Sequence, residues 1–451
     1  MEFVNRIEEQ NRLTDALYGD NTSFVVVYGR RRVGKSTLIK KVLTVGDVYF
    51  LADQTEKSQQ IGMIAKAIAQ IIEGFDKVVY PDWSTLFDTL NLRTTGKFTL
   101  CIDEFPYIVK KSPELPSVLQ KFLDSKSVKF NIVVCGSSQK MMKRLVLDAK
   151  EPLYGRADQI LKLAPVKTPY LAEYLQCDAI QAIEEYAVWG GIPRYWELRK
   201  KSHSLQEAIE YQIINSQGTL YEEPYRLLLD DMRDIIQSST LLSVIGGGAN
   251  RLSEIAARVG KPATHLSGPL DRLIELGLVE REIPYGELPK NSKKSLYKIA
   301  DPFMDFFYRF VVPNRSLIAL GRTKMVMDEI NGKLNPYISL HWERLCRNAV
   351  SGSIIDGITY GLASRWWGNV SRDEMIEIDI IAQSVDKKTI LVGECKWSSI
   401  TNSDALIDHL MEKAGKLPFT FGKKIVPILF AKDCKTVNNN TLLPENVVKM
   451  L

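Results

Sequence analysis

Gly29-Arg30-Arg31-Arg32-Val33-Gly34-Lys35-Ser36 fits G-x-x-x-x-G-K-[ST] at every position, and its setting constrains the fold more than any other stretch of the chain. The loop follows an apolar run, Phe24-Val25-Val26-Val27-Tyr28, and opens a helical stretch from Thr37 to Val42. Strand, glycine-rich turn and helix N-terminus in that order aim backbone N–H groups and partial positive charge at a phosphate. Gly29, Arg30, Arg31, Arg32, Val33 and Gly34 are therefore expected to wrap the phosphates of a nucleotide, with Thr37 at the start of the helix. Lys35 is expected to reach the β- and γ-phosphates, and the Ser36 hydroxyl to ligate Mg²⁺.

The first 165 residues alternate apolar runs with helical stretches, the pattern of a parallel sheet flanked by helices. Candidate strands are Ser23 to Tyr28, Asp47 to Leu51, Phe98 to Ile102 and Lys129 to Cys135. Runs without polar alternation suit a sheet covered on both faces. The third run leads into Asp103-Glu104. Asp103 is expected to hold Mg²⁺ through water, and Glu104 to polarise the attacking water. The fourth leads into Gly136-Ser137-Ser138, whose polar side chains are placed to sense the γ-phosphate. Arg156, just beyond, is a candidate γ-phosphate sensor or a finger acting in trans.

Composition excludes several other classes. A chain of 451 residues at about 150 per domain suggests roughly three domains. A 45% hydrophobic and 25% charged content rules out a collagen-like, mucin-like or wholly disordered polymer. No apolar run reaches the length of a membrane span, and the N-terminus lacks the basic-then-apolar order of a signal peptide. The six cysteines are scattered without a CxxC pair and read as buried thiols of a reducing cytoplasm, so a cytoplasmic location is expected. The net charge of +5 carries little information by itself.

Five segments are expected: a P-loop domain over 1–165, a helical subdomain over 166–235, a winged-helix domain over 236–312, a linker over 313–335 and a C-terminal domain over 336–451. The fold class is α/β: a P-loop parallel sheet, a helical and winged-helix middle, and a mixed α/β restriction-endonuclease-like end. In the middle, Leu252, Ile255, Ala256 and Val259 recur at helical spacing. A second apolar face follows at Leu266, Leu270, Leu273 and Ile274, ending at Gly277. Leu278 to Pro284 and Lys294 to Ile299 then pair as a hairpin, completing a helix-turn-helix with a wing. If this element reads DNA, Thr264, His265, Ser267 and Arg272 are the exposed candidates, with Lys290, Lys293 and Lys294 able to meet phosphate. Asp271, Glu275, Glu280 and Glu282 dilute that positive field.

The C-terminal segment carries Glu377-Ile378-Asp379-Ile380-Ile381 and then Gly393-Glu394-Cys395-Lys396-Trp397, separated by the turn residues Asp386-Lys387-Lys388. Glu394 and Lys396 are two apart, so on a strand they face the same side. With Asp379 on the paired strand this is D…E-x-K, the core pattern of the PD-(D/E)XK nucleases. Asp379 and Glu394 are hard oxygen donors suited to Mg²⁺, Glu343 on a preceding helix is a third candidate ligand, and Lys396 would orient the attacking water.

Phe3-x-x-Arg6 with Glu9, Gly29 to Ser36, Asp103-Glu104-Phe105, Gly136-Ser137-Ser138, Leu153-Tyr154-Gly155-Arg156 and Gly190-Gly191-Ile192-Pro193 together resemble the archaeal-type ATPase family, which belongs with the AAA+/STAND P-loop ATPases. The resemblance implies that Arg6 and Glu9 lie near the adenine, and that Pro193 belongs to a GxP turn covering the nucleotide. Asp301-Pro302-Phe303, Trp342-Glu343 and Trp366-Trp367-Gly368, together with the D…E-x-K strands, resemble the C-terminal domain that accompanies these ATPases. The expected activity is an Mg²⁺-dependent ATP-hydrolysing switch or motor coupled to a DNA-binding, nuclease-like C-terminal domain, a fold that serves for binding DNA as well as for cutting it. The alternative is a STAND-type signalling ATPase, whose winged helix and C-terminal domain engage protein partners or further copies of the chain. No membrane partner is expected.

Overall fold

The computed structural model describes residues 4–232, 234–288 and 294–451. The chain forms two compact units. The first comprises Met1–Val166 with Ile192–Arg194 and Leu229–Arg233, and the second comprises the remainder.

The first unit is built on a parallel sheet of order β2-β3-β4-β1-β5. Its strands are β1 Phe24–Gly29, β2 Val48–Leu51, β3 Thr99–Asp103, β4 Asn131–Gly136 and β5 Gln159–Leu163. Every residue of β1, β3 and β4 is buried, which is why these strands read as unbroken apolar runs. Four of the strands coincide with the expected runs to within two residues. The fifth, β5, alternates buried and open positions along the sheet edge. On one side the core gathers Phe24, Val26, Ile102, Ile132 and Val134 with Trp83, Phe87 and Phe122 from the covering helices. Because the strands are parallel, the loops after β1, β3 and β4 leave the same edge of the sheet.

The second unit opens with helices Thr168–Leu175 and Ala179–Trp189. Helices Leu252–Val259 and Ala263–Glu275 lead into an antiparallel hairpin of β6 Val279–Glu282 and β7 Leu296–Ile299. Phe3, Lys290 and Lys293 lie outside the described residues. Glu280 and Glu282 do not spread negative charge over the hairpin as the sequence suggested. Arg344 pairs with Glu280 at 2.7 Å, while Lys298 and Arg347 pair with Glu282 at 2.7 and 3.0 Å.

The expected linker over 313–335 is not a loop. Helix Arg315–Ala319 is followed by one helix, Thr323–Val350, of 28 residues, which carries Gly332 and Pro336 inside it. Its buried face (Val326, Ile330, Leu334, Tyr337, Ile338, Trp342, Leu345, Ala349) recurs every three or four residues, and burial on that scale outweighs a few kcal/mol of glycine and proline cost. Beyond it lie the short pair β8 Ile354–Ile355 and β9 Ile358–Thr359. A mixed sheet then runs in the order β10-β11-β12-β13-β14, with β10 Ser364–Asn369, β11 Met375–Gln383, β12 Thr389–Ile400, β13 Lys424–Cys434 and β14 Thr441–Leu442. β10, β11 and β12 pair antiparallel, whereas β12, β13 and β14 pair parallel. Helix Ser403–Gly415 covers one face, packing Leu410 and Ala414 on Ile378, Ile390 and Val392.

Candidate functional site

In the first unit, the loop leaving β1 turns at Gly34, whose φ of 99° only glycine adopts freely, and delivers Lys35 at the first turn of helix Lys35–Val42. Lys35 Nζ donates to the carbonyl oxygens of Gly29 at 2.9 Å and Arg30 at 3.1 Å, which holds the ammonium inside the loop. Gly29 itself admits no side chain, because a Cβ there would lie 2.5 Å from the Leu163 carbonyl oxygen of β5.

Asp103, at the end of β3, is 1% exposed. Its Oδ2 accepts from Ser36 Oγ and from Tyr49 Oη, both at 2.5 Å, and its Oδ1 accepts from the Glu104 amide at 2.9 Å. Burial by itself would raise the Asp103 carboxyl, but the hydrogen bonds from Ser36, Tyr49, Cys135 and the Glu104 amide outweigh it and hold its pKa below the ordinary value. The same contact, with desolvation first, pushes the Tyr49 phenol far up. An ionised carboxylate against a serine hydroxyl, beside a phosphate loop, is the donor set that Mg²⁺ requires, so Ser36 and Asp103 fit that ion.

Glu104 adopts a left-handed conformation, with φ 54° and ψ 38°, at the start of helix Phe105–Lys111. Backbone strain at a non-glycine residue in such a position must be held in place by its surroundings. Here Glu104 Oε2 accepts from Ser137 Oγ at 2.9 Å and from the Ser137 amide at 3.3 Å. The two residues expected to orient water and sense phosphate thus touch each other. Arg6, also left-handed, donates to Glu9 at 2.9 Å, to the Val33 carbonyl at 3.2 Å and to the Ala164 carbonyl at 2.6 Å, bracing the back of the phosphate loop. Arg30 is buried, Arg32 is left-handed, and Thr37 is half-buried in the first turn of the helix. Pro193 begins helix Pro193–Arg199 and groups with the first unit.

Arg156 does not join this constellation. Its guanidinium grips Asp124 through two bonds of 2.9 and 2.8 Å, three residues before β5, whose first residue pairs with Val25 near the start of β1. That is the sheet edge opposite the phosphate loop. In this structure the guanidinium is taken up by Asp124 and by the carbonyl oxygens of Pro152 and Tyr154, at 2.8 and 3.1 Å, rather than by the residues of the phosphate loop. Two aspartates that the sequence did not single out do come to the loop. Asp230 approaches Arg31 at 3.7 Å, and Asp231 accepts from Ser138 Oγ at 3.0 Å and from the Lys140 amide at 3.2 Å.

In the second unit, Glu343, Glu377, Asp379, Glu394, Lys396 and Lys413 line one cavity of about 450 Å³. The pairing of Ile380 with Gly393 sets Asp379 beside Glu394, and Asp379 Oδ2 accepts from the Cys395 amide at 2.9 Å. Lys396 Nζ lies 2.7 Å from Glu394 Oε1, and Lys413 Nζ lies 3.3 Å from Oε2. Glu343 enters from the long helix, with Arg347 one turn further on at 3.9 Å. The expected three-acid shell of Glu343, Asp379 and Glu394 is not assembled: among the described residues no three His, Cys, Asp or Glu side chains converge as metal ligands. Arg347 lies 3.9 Å from Glu343, and Lys396 and Lys413 pair with Glu394. Asp379 and Glu394 alone still offer adjacent hard donors that fit Mg²⁺.

Asp379 is raised above the ordinary carboxylate range by burial and by the charge of Glu394. Glu343 is raised by burial and by the charge of Asp379. Forcing these groups to ionise destabilises the fold. The cost is absent below the unfolded pKa and complete above the raised folded one. Asp379→Asn is therefore expected to raise the melting temperature by a few degrees at pH 8, on the order of 1 kcal/mol, with the gain fading at pH 4. Equal melting of the two proteins at pH 8 would show that the pocket stores no such repulsion.

All six cysteines are free, five of them buried and Cys177 half-buried. Among the described residues no helix is long and apolar enough to cross a membrane.

Residues 3–195 match a family described as an ATPase domain predominantly from Archaea, and residues 307–407 match one described as archaeal and bacterial proteins of unknown function. An uncharacterized protein of Methanocaldococcus jannaschii is 31% identical over 410 residues, covering 89% of each chain. Among solved structures, the Walker-type ATPase of Pyrococcus abyssi superposes with a TM-score of 0.52 at 19% identity, over 68% of this chain and 96% of that one. The parallel sheet, the phosphate loop and a relative matched across nearly the whole length agree: the chain belongs to the archaeal-type P-loop ATPases, with the C-terminal domain of unknown function that accompanies them.

Proposed function

We propose that the chain is an Mg²⁺-dependent ATP-hydrolysing switch or motor whose C-terminal pocket binds and cleaves DNA. In the first unit, Lys35 neutralises phosphate charge, Glu104 accepts the proton of the attacking water, and Ser137 holds the Glu104 carboxylate in place. Ser36 and Asp103 would hold Mg²⁺, which shields the phosphates and stabilises charge on the leaving group. The observation that carries the DNA-cleaving part is the gathering of Asp379, Glu394 and Lys396 in one cavity on two antiparallel strands. Asp379 and Glu394 would hold a second Mg²⁺, and Lys396 would orient a water against a phosphodiester. Thr264, His265, Ser267 and Arg272 are all exposed along the second helix of the helix-turn-helix, which favours DNA over a purely internal role for that helix.

The test is plasmid cleavage in Mg²⁺ by the wild type and Lys396→Ala. We expect nicking by the wild type and a loss of roughly 10²-fold or more in the variant. No cleavage by either, with DNA binding no better than a neutral control, favours the second reading, a signalling ATPase whose other domains dock proteins or a further copy of the chain. One feature speaks for that reading: the hairpin's Glu280 and Glu282 are spent on Arg344 and Arg347 of the C-terminal segment, so part of this element serves internal packing.

A further inference from the structure

The acidic pocket holds a lysine that the D…E-x-K pattern does not contain. Lys413 extends from helix Ser403–Gly415, whose neighbouring residues Leu410 and Ala414 are fully packed in the core, so its backbone position is fixed. Its Nζ faces Glu394 Oε2 while Lys396 faces Oε1, and each oxygen of this carboxylate is therefore occupied by a separate ammonium. One lysine suffices for an ordinary surface ion pair. Two, converging from a strand and from a helix on a group beside Asp379, mark a carboxylate whose partners are meant to change. The pocket also needs positive charge if an anion is to enter. Glu343, Glu377, Asp379 and Glu394 line it with Lys396 and Lys413; Glu343 and Glu377 already have Arg347 and Arg365 as partners, so within the lining Lys396 and Lys413 are the cations placed to meet a phosphodiester, which carboxylates alone would repel.

We propose that Lys413 is a positioning residue for the nucleic-acid backbone: it holds Glu394 Oε2, competes with a divalent cation for that oxygen, and turns to a non-bridging phosphate oxygen once Glu394 engages the cation. This rests on the phosphodiester reading of the pocket. The idea makes two effects of one substitution run in opposite directions, which a merely structural ion pair would not produce. Replacing Lys413 by glutamine removes a competitor of the metal and a ligand of the phosphate at once.

The experiment uses the full chain without nucleotide, as wild type, Lys413→Gln and Glu394→Gln, with a single cooperative melting transition in each as the folding control. Mn²⁺ is titrated by electron paramagnetic resonance. The affinity of a short duplex is followed in Ca²⁺ against salt concentration. Lys413→Gln should bind Mn²⁺ about tenfold more tightly, the order expected when a unit charge a few ångströms away is removed. The same variant should bind duplex more weakly, with the salt slope reduced by about one. Glu394→Gln should lose the Mn²⁺ site. If Glu394→Gln loses Mn²⁺ but Lys413→Gln binds it no more tightly than wild type, the role given to Lys413 is wrong and the pocket reading stands. If Glu394→Gln binds Mn²⁺ as wild type does, the metal reading of the pocket falls, and the Lys413 proposal with it.

Discussion

Lys35→Ala is expected to abolish ATP turnover, with phosphate release falling to the background of the assay. Lys35 is 5% exposed, and its ammonium is held by the carbonyl oxygens of Gly29 and Arg30 inside the phosphate loop. Removing it leaves the loop amides to face the full charge of a triphosphate. Glu104→Gln is the informative companion. Glutamine keeps an oxygen for the Ser137 hydroxyl and preserves the loop, but it cannot accept a proton from water. Nucleotide affinity should stay within a few-fold of wild type while turnover drops by roughly 10²–10⁴. Steady-state phosphate release and equilibrium binding of a fluorescent nucleotide separate the two effects. Turnover by Lys35→Ala at the wild-type rate would overturn the catalytic assignment.

The largest loss of stability is expected at the buried pair of Glu185 and Arg199 in the second unit. Their side chains are 0% and 6% exposed, and Glu185 accepts from Arg199 at 2.7 to 2.9 Å and from Trp189 Nε1 at 2.8 Å. Glu185→Ala strands a guanidinium in the core together with an indole N–H that has lost its acceptor. The cost is about 3–5 kcal/mol, because desolvation of the remaining charge is no longer offset. The double variant Glu185→Leu with Arg199→Met removes both charges and should recover most of that loss. Denaturant midpoints of the three proteins decide the matter: a double variant as unstable as Glu185→Ala would mean that packing volume, not the stranded charge, sets the cost.

Much of the first unit was legible because its chemistry is local. The phosphate loop is contiguous, and β1, β3 and β4 read as unbroken apolar runs because both sheet faces are covered. β5 escaped notice because an edge strand alternates: Gln159 and Lys162 interrupt the apolar signal. The long helix was hidden by Gly321, Gly332 and Pro336, which are breakers in isolation but are outweighed by a buried face visible only once its packing partners are known. Position also decided what motif spacing could not. Arg156 follows the sensor strand closely in sequence, yet the chain carries it back to the far edge of the sheet, where Asp124 holds it. Lys413, Asp230 and Asp231 left no trace in the sequence, because each meets a partner on a different element of the fold and no periodicity records such a meeting.

The helix Thr323–Val350 has one further mechanical consequence. Glu343, Arg344 and Arg347 occupy little more than a single turn, yet they reach the acidic cavity, the carbonyls of Ile299 and Ala300 at the end of β7, and Glu282 of β6 respectively. Arg347 also donates to the backbone of Asp379 at 3.3 Å. The helix therefore works as a common axle: a twist that swings the hairpin by even a fraction of a turn must also rotate Glu343 and drag on the strand bearing Asp379.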